Sequence, residues 1–327
     1  LFTAVGGKMS QEAREKLTLE LLTRFRMYTS FGVAVIVANL IVVVVHVSNK
    51  DMNKRYILFT LLSVAELVNG VSFIAAGVGR EIQIHMGTYF TPVKVSECLM
   101  WFPWPTLLLF AGQLPAMLNL MLAVERVIAV QCSGWYRNVW TWKHKALLGA
   151  FGYFVCIVGY VLALLSSHFS HQINLTRICA VMEATGIIYG SLHYAFISLA
   201  YLISFIVVLI IFMITRANKS LTQSEFRRQK ILFAVIGVSV VFVSFPNFIL
   251  IFNEWHIVNA DPLFVGAAYC LYALSSTFNL FIYIAFRKDF RQQLLTLLCI
   301  KKANAASALL RSNSVMVTRV TTITLQT

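Results

Sequence analysis

The sequence predicts an all-α membrane protein, a seven-transmembrane helix bundle followed by a short amphipathic eighth helix. Two observations carry that fold class and a third orients it. Of 327 residues, 59% are hydrophobic and only 12% charged, and the mean hydropathy is +0.76. Soluble domains lie near one half and one quarter. Seven apolar runs of spanning length lie near 27–47, 56–79, 100–130, 145–167, 187–215, 230–253 and 263–286, each close to the roughly 20 residues that a bilayer requires. Basic residues then alternate between linkers. Those after runs one, three and five carry Lys50, Lys54, Arg55, Arg137, Lys143, Lys145, Arg216, Lys219, Arg227 and Arg228, whereas those after two, four and six carry only Arg80, Lys94 and Arg177. The first set is therefore cytoplasmic. Seven spans put the N-terminus outside, in a multi-pass protein of the plasma membrane. The net charge of +14 orients the chain in the bilayer, and no nucleic-acid partner is expected.

Residues 1–26 form an extracellular N-terminal segment that ends in a helical lead-in, LTLELLTRF. Its Lys8, Arg14, Lys16, Arg24 and Arg26 run against the loop pattern, and three agreeing loops outvote them. No cleavable signal is expected, because the first apolar run is too long for a signal core. Residues 27–286 make the bundle, organised around the third run, Leu107 to Val130. Its only charges, Glu125 and Arg126, are adjacent near one end. Charges are expensive in hydrocarbon, so the two should lie at the membrane boundary and bond each other or a neighbouring helix. The plainer alternative is that Arg126 snorkels to lipid headgroups. Residues 287–299 read as an amphipathic juxtamembrane helix, with Phe290, Leu294, Leu297 and Leu298 on one stripe and Lys288, Arg291 and Gln292 mostly on the other. Cys299 closes it at headgroup depth as an acylation site. Residues 300–327 form a cytoplasmic tail whose serines and threonines, Ser307 to Thr324, suit kinases.

Two marks support this orientation. Asn174-Leu175-Thr176 is a glycosylation sequon after the fourth run, on the lumenal side, whereas Asn218-Lys219-Ser220 lies in a cytoplasmic loop and should stay bare. Cys98 and Cys179 both fall on the oxidising side, where a disulfide persists, and are expected to pair. Cys132, Cys156 and Cys270 read as small packing residues. No zinc cluster, phosphate loop or nucleophile elbow appears, and histidines such as His46, His85, His168 and His171 lack ligand spacing. The chain is not expected to be an enzyme or to hold a cofactor. The competing class is a seven-span ligand-gated channel or transporter of inverted topology, which the basic N-terminal segment and Glu66 as an ion-path residue would favour.

Taken in order, several motifs resemble those of the rhodopsin-like G-protein-coupled receptors, over about Val35 to Leu298. Ala38-Asn39 resembles the family's Gly-Asn pair, and Leu62-Ser-Val-Ala65-Glu66 its Leu-Ala-x-x-Asp motif with Glu for Asp. Glu125-Arg126-Val127 resembles Asp/Glu-Arg-Tyr. Pro246 marks the sixth span, and Asn279-Leu-Phe-Ile-Tyr283 resembles Asn-Pro-x-x-Tyr, with Phe290 in the helix that follows. The departures are a fourth span without the family's Trp, a fifth without its Pro, Ser244 for the Trp of the sixth, Leu280 for the Pro of the seventh, and Pro115 inside the third. Such loosened motifs look most like the serpentine chemoreceptor families of nematodes.

The resemblance implies a chemosensory receptor that binds a small or peptide ligand of unknown identity from outside and activates a heterotrimeric G protein, with arrestin and receptor kinases as further partners. It carries the coupling roles onto Glu125, Arg126, Asn279 and Tyr283, with Glu225 as a second clasp for Arg126. Asn39, Glu66 and Asn279 are polar groups deep in apolar helices and should face inward to meet each other or water. A proton on Glu66 is one reading. A sodium ion is not expected, because Pro115 falls where the family often supplies a hydroxyl ligand. By alignment the ligand pocket comprises Leu108, Leu109, Gly112, His193, Asn247, Phe248, Tyr269 and Tyr272. Leu108 stands where amine receptors carry Asp, which excludes a buried carboxylate partner for an amine, and no lysine lies between Val265 and Phe286 to hold retinal.

Overall fold

In hydrocarbon every backbone N–H and C=O must be bonded within the protein, so apolar runs of this length fold as helices. The computed structural model describes residues 11–218, 223–258 and 262–298. Within them the elements run α1 (Gln11–Val47), α2 (Lys50–Arg55), α3 (Ile57–His85), β1 (Val93–Lys94), α4 (Val95–Trp101), α5 (Pro103–Gln131), α6 (Ser133–Asn138), α7 (Trp142–Phe169), β2 (Ile173–Asn174), α8 (Val181–Thr185) and α9 (Ile187–Asn218). They continue through α10 (Gln223–Ser239), a π turn (Val240–Ser244), α11 (Phe245–Glu254), α12 (Pro262–Phe286) and α13 (Lys288–Leu297). Seven segments are long and apolar enough to span a membrane: those of α1, α3, α5, α7, α9, α10 continued through α11, and α12.

The third span is central. α5 packs on α3, α7 and α9, and 67% of its apolar window is buried, against 22% for α7 at the periphery. α1 packs chiefly on α3, and there the backbones nearly touch, since a Cβ built on Gly32 would lie 2.8 Å from the Gly70 carbonyl oxygen. Small residues are how helices approach closely in a bilayer.

The first helix departs from the sequence reading. α1 begins at Gln11, and its spanning segment Glu15–Val47 has 33 residues, about 50 Å at 1.5 Å per residue. The expected boundary at residue 26 is not a break: Leu21, Phe25 and Tyr28 continue one buried stripe against Phe73, Tyr89 and Cys270. The lead-in is thus a wall of the bundle at the end opposite α13.

The sixth span is interrupted for a local reason. Pro246 has no N–H to donate, and just before it the Phe245 N–H reaches back to the Val240 carbonyl, widening one turn. Over the end opposite α13 lies a roof. β1 pairs antiparallel with β2, and the Cys98–Cys179 disulfide (Cα–Cα 5.4 Å) ties α4, just before the third span, to it. The Ile178 carbonyl accepts from Arg80 Nε (2.7 Å) and Trp104 Nε1 (3.3 Å), and Cys179 takes a left-handed φ of +44°. At the other end α13 wedges Phe290 into the bundle against His46 and Tyr283, with Lys288, Arg291 and Gln292 exposed. Its Leu294 packs at the core edge, while Leu297 and Leu298 are exposed.

Candidate functional site

At the end of the bundle that carries α13, α5 carries Glu125 and Arg126 inward, and both are buried. Arg126 Nη2 donates to Glu125 Oε2 at 2.9 Å. The other carboxylate oxygen takes Lys145 Nζ at 3.0 Å, from the first turn of α7, and the Tyr136 hydroxyl at 2.7 Å, from α6. Lys145 also sits 5.6 Å from the Tyr136 ring centroid. One carboxylate therefore gathers two cations and a phenol. Truncating one member of such a buried group leaves the others under-compensated, which makes it cooperative. Glu225 lies in the first turn of α10, and its side chain is outside those described, as is Cys299.

A second knot joins spans one and seven. Tyr283 is buried, and its hydroxyl has no hydrogen-bond partner among the described residues. Beside it Arg287, buried at the start of α13, lays its guanidinium 3.6 Å from the Tyr56 ring centroid and donates from Nη1 to His46 Nε2 at 2.9 Å. Arginine only donates, so His46 Nε2 is the acceptor, and the ring's proton is on Nδ1, which faces Thr60 Oγ1 at 3.2 Å. Arg287 is further paired with Asp289 at 3.4 Å.

Asn39, Glu66 and Asn279, expected to meet each other or water, are not joined by a direct hydrogen bond among the described residues. Glu66 Oε2 accepts from Asn69 Nδ2 (3.3 Å) and from Ser276 Oγ, and Asn69 also bonds Ser276 at 3.0 Å. Asn39 turns back to the Val35 carbonyl of its own helix at 3.0 Å, and Asn279 Oδ1 has no partner among the described residues. An amide that reaches the carbonyl four residues back is satisfied without a neighbour. Ser276 of span seven takes the place of Asn279 at Glu66.

At the end under the roof two narrow cavities of about 20 Å³ each adjoin. Leu108, Phe73 and Tyr269 border both. The inner one is lined by four of the pocket candidates besides Leu108: Gly112, His193, Tyr269 and Tyr272. A Cβ on Gly112 would lie 2.6 Å from Ile197 Cδ1, so the glycine lets span five approach span three. His193 Nδ1 accepts from Gln113 Nε2 at 3.1 Å, and the Tyr194 and Tyr269 hydroxyls are 2.6 Å apart. The Tyr272 hydroxyl is buried without a partner among the described residues. Leu109, Asn247 and Phe248 border neither cavity: Leu109 is core, Asn247 is buried with both amide atoms unpartnered among the described residues, and Phe248 is more than a third exposed. The outer cavity is lined by Arg24, Tyr28 and Arg80 together with Ile178 and Ala180 of the roof. Glu183 lies in the roof at α8, where burial pushes its carboxyl up to about 7, opposed by the nearby Arg80 charge and the Ala180 N–H. Asn174, the sequon residue, is half-buried there and donates to the Glu183 carbonyl at 2.7 Å.

Residues 32–298 match the family described as serpentine type 7TM GPCR chemoreceptor Srsx. The chain belongs to that family. The match runs from the second half of α1 to the end of α13. No curated relative matches the chain. As an Srsx receptor it is a multi-pass membrane protein, and receptors of this class act through G proteins in general.

Several residues at the receptor's sites escape sequence reasoning. Tyr136 and Lys145 complete the Glu125 cluster, yet in sequence they are one aromatic and one of many loop cations. His46 has no ligand spacing because its partner is Arg287, 241 residues away. Arg24 and Arg80 count as topology charges until the fold turns them inward. The three- and four-residue steps of Leu21, Phe25 and Tyr28 are the signal that identifies the lead-in as a buried wall.

Proposed function

We propose that this Srsx receptor, with its N-terminus outside, binds a chemosensory ligand in the outer chamber and activates a heterotrimeric G protein at the cytoplasmic end. The observation that carries the reading is the closed cluster on Glu125, since it holds Arg126 by a partner that can be exchanged. A guanidinium offers several donors in a fixed fork and keeps its charge, so it can leave one acceptor for another without deprotonation. Outward movement of α10 releases Arg126 and opens a cleft for the G protein. The Tyr283 hydroxyl and Asn279 Oδ1, buried without partners, acquire them as the bundle repacks. Glu66, bonded only by neutral donors, exchanges a proton or an ion in the same transition. Glu225 is a second clasp for Arg126 in the resting state. Cys299 carries an acyl chain, and the phosphorylated tail recruits arrestin. Asn174 carries a glycan. The direct test is nucleotide exchange on a G protein by receptor reconstituted in lipid nanodiscs. Arg126→Ala should fold and reach the surface but abolish receptor-driven exchange. Exchange equal to the parent at matched receptor amounts refutes the coupling role.

A further inference from the structure

The outer cavity has a charge pattern that receptor coupling leaves unexplained. Arg24 projects from the lead-in of α1 and Arg80 from the outer end of α3, and both line the same cavity. Arg80 is 4% exposed, with Nε on the Ile178 carbonyl at 2.7 Å and its guanidinium 5.8 Å from the Phe25 ring centroid. Arg24 Nε donates to the Tyr28 hydroxyl at 2.6 Å. Its stem lies across span seven, where a Cβ on Gly266 would come within 2.9 Å of Arg24 Cδ. Among the described residues neither arginine has a carboxylate within ion-pair distance. The next arginine on the same helix behaves differently: Arg26 is exposed and paired with Glu81 at 3.1 Å.

Two cations held in one apolar, water-poor cavity repel each other and lose solvation; the nearby Glu183 carboxyl stands outside ion-pair distance of both, so an anion between them offsets both costs. The fork of each guanidinium suits a carboxylate. Beyond Phe73, Leu108 and Tyr269 the second cavity is apolar and aromatic and leads toward Gly112 and Tyr272. We infer that the Arg24–Arg80 cavity is an anion subsite and that the ligand is an organic acid, its carboxylate between the two guanidiniums and its apolar chain in the inner cavity. This rests on the chamber being the receptor's ligand site. At about 20 Å³ the subsite holds roughly one water-sized group. The inner cavity is equally small, so the chain enters by displacing side chains.

The test is direct binding to purified full-length receptor in nanodiscs of zwitterionic phosphatidylcholine, with octanoate as probe and octanamide as its uncharged counterpart. Octanoate should bind and raise the melting temperature, and octanamide should not. Arg24→Gln should weaken octanoate about tenfold or more, the loss of one charge-assisted contact, whereas Arg26→Gln should leave it unchanged. Arg80→Lys keeps the charge but not the fork, and should fold while binding octanoate more weakly than the parent. Equal shifts with acid and amide, or unchanged octanoate affinity in Arg24→Gln, overturn the assignment. Discs containing phosphatidylglycerol separate the sources of anion: stabilisation by that lipid that requires Arg24, with none by octanoate, overturns the soluble-acid assignment in favour of a lipid headgroup. Because the readout is binding, it fails or succeeds independently of the exchange assay on Arg126.

Discussion

Replacing Glu125 by Gln isolates the charge at the centre of the cytoplasmic cluster. The substitution preserves size but removes the negative charge and one of the two acceptor oxygens, so the contacts from Arg126 at 2.9 Å and Lys145 at 3.0 Å lose their ion-pair partner. A hydrogen bond to a charged group contributes about 1.5–3 kcal/mol and a neutral one about 1. In the proposed open state Arg126 has left Glu125 while Lys145 and Tyr136 have not, so only the Arg126 contact discriminates between states. The resting state then loses about 0.5–2 kcal/mol relative to the open one, which shifts the equilibrium about 2- to 30-fold. Ligand-free nucleotide exchange by reconstituted Glu125→Gln receptor should rise by that factor over the parent. Lys145→Met, which leaves the Arg126–Glu125 contact in place, should raise it less. A basal rate unchanged in Glu125→Gln at matched receptor amounts would show that the cluster does not hold the resting state.

Two further outcomes follow from the roof. The Cys98–Cys179 bond closes a sequence separation of 81 residues, for which chain entropy gives up to about 4.5 kcal/mol. Cys98→Ser should lower surface abundance and melting temperature, and an unaltered melt would show that the β1–β2 roof is held without it. Glu183, raised from 4.5 to about 7 in the folded protein, binds its proton more tightly folded than unfolded. Stability from this group is therefore full below about pH 4.5 and is lost as pH rises through 7, on the order of 3 kcal/mol in all. Melts between pH 5 and 8 should fall with pH in the parent and fall less in Glu183→Gln, and parallel curves would place the titration elsewhere.

The spans, the Glu125–Arg126 pair and the disulfide are legible in the sequence because each depends on a local or long-range rule with few solutions. A bilayer fixes helix length, adjacent charges must find the boundary, and two cysteines on the oxidising face have few partners. Partners that depend on how helices cross are not legible. Asn39 and Asn279 share depth with Glu66, yet rotation about the helix axes gives Glu66 to Asn69 and Ser276 instead. Phe248 follows Asn247 by one residue, which on a helix turns it about 100° from the interior toward the exposed face. The basic N-terminal residues read as a conflict with the topology rule. The fold resolves part of it, since Arg24 rides a helix face that enters the outer chamber while Arg26 pairs with Glu81 outside it.

The account requires the Arg24–Arg80 chamber to face the exterior and the Glu125 cluster to face the G protein, and both follow from the orientation of the chain in the membrane. An epitope fused before residue 1 and a second fused after residue 327, stained in intact and permeabilised cells, measures it directly. The receptor account predicts that the first tag is stained in intact cells and the second only after permeabilisation. The reverse pattern would place the arginine chamber inside the cell, and would favour a channel or transporter of inverted topology over a receptor.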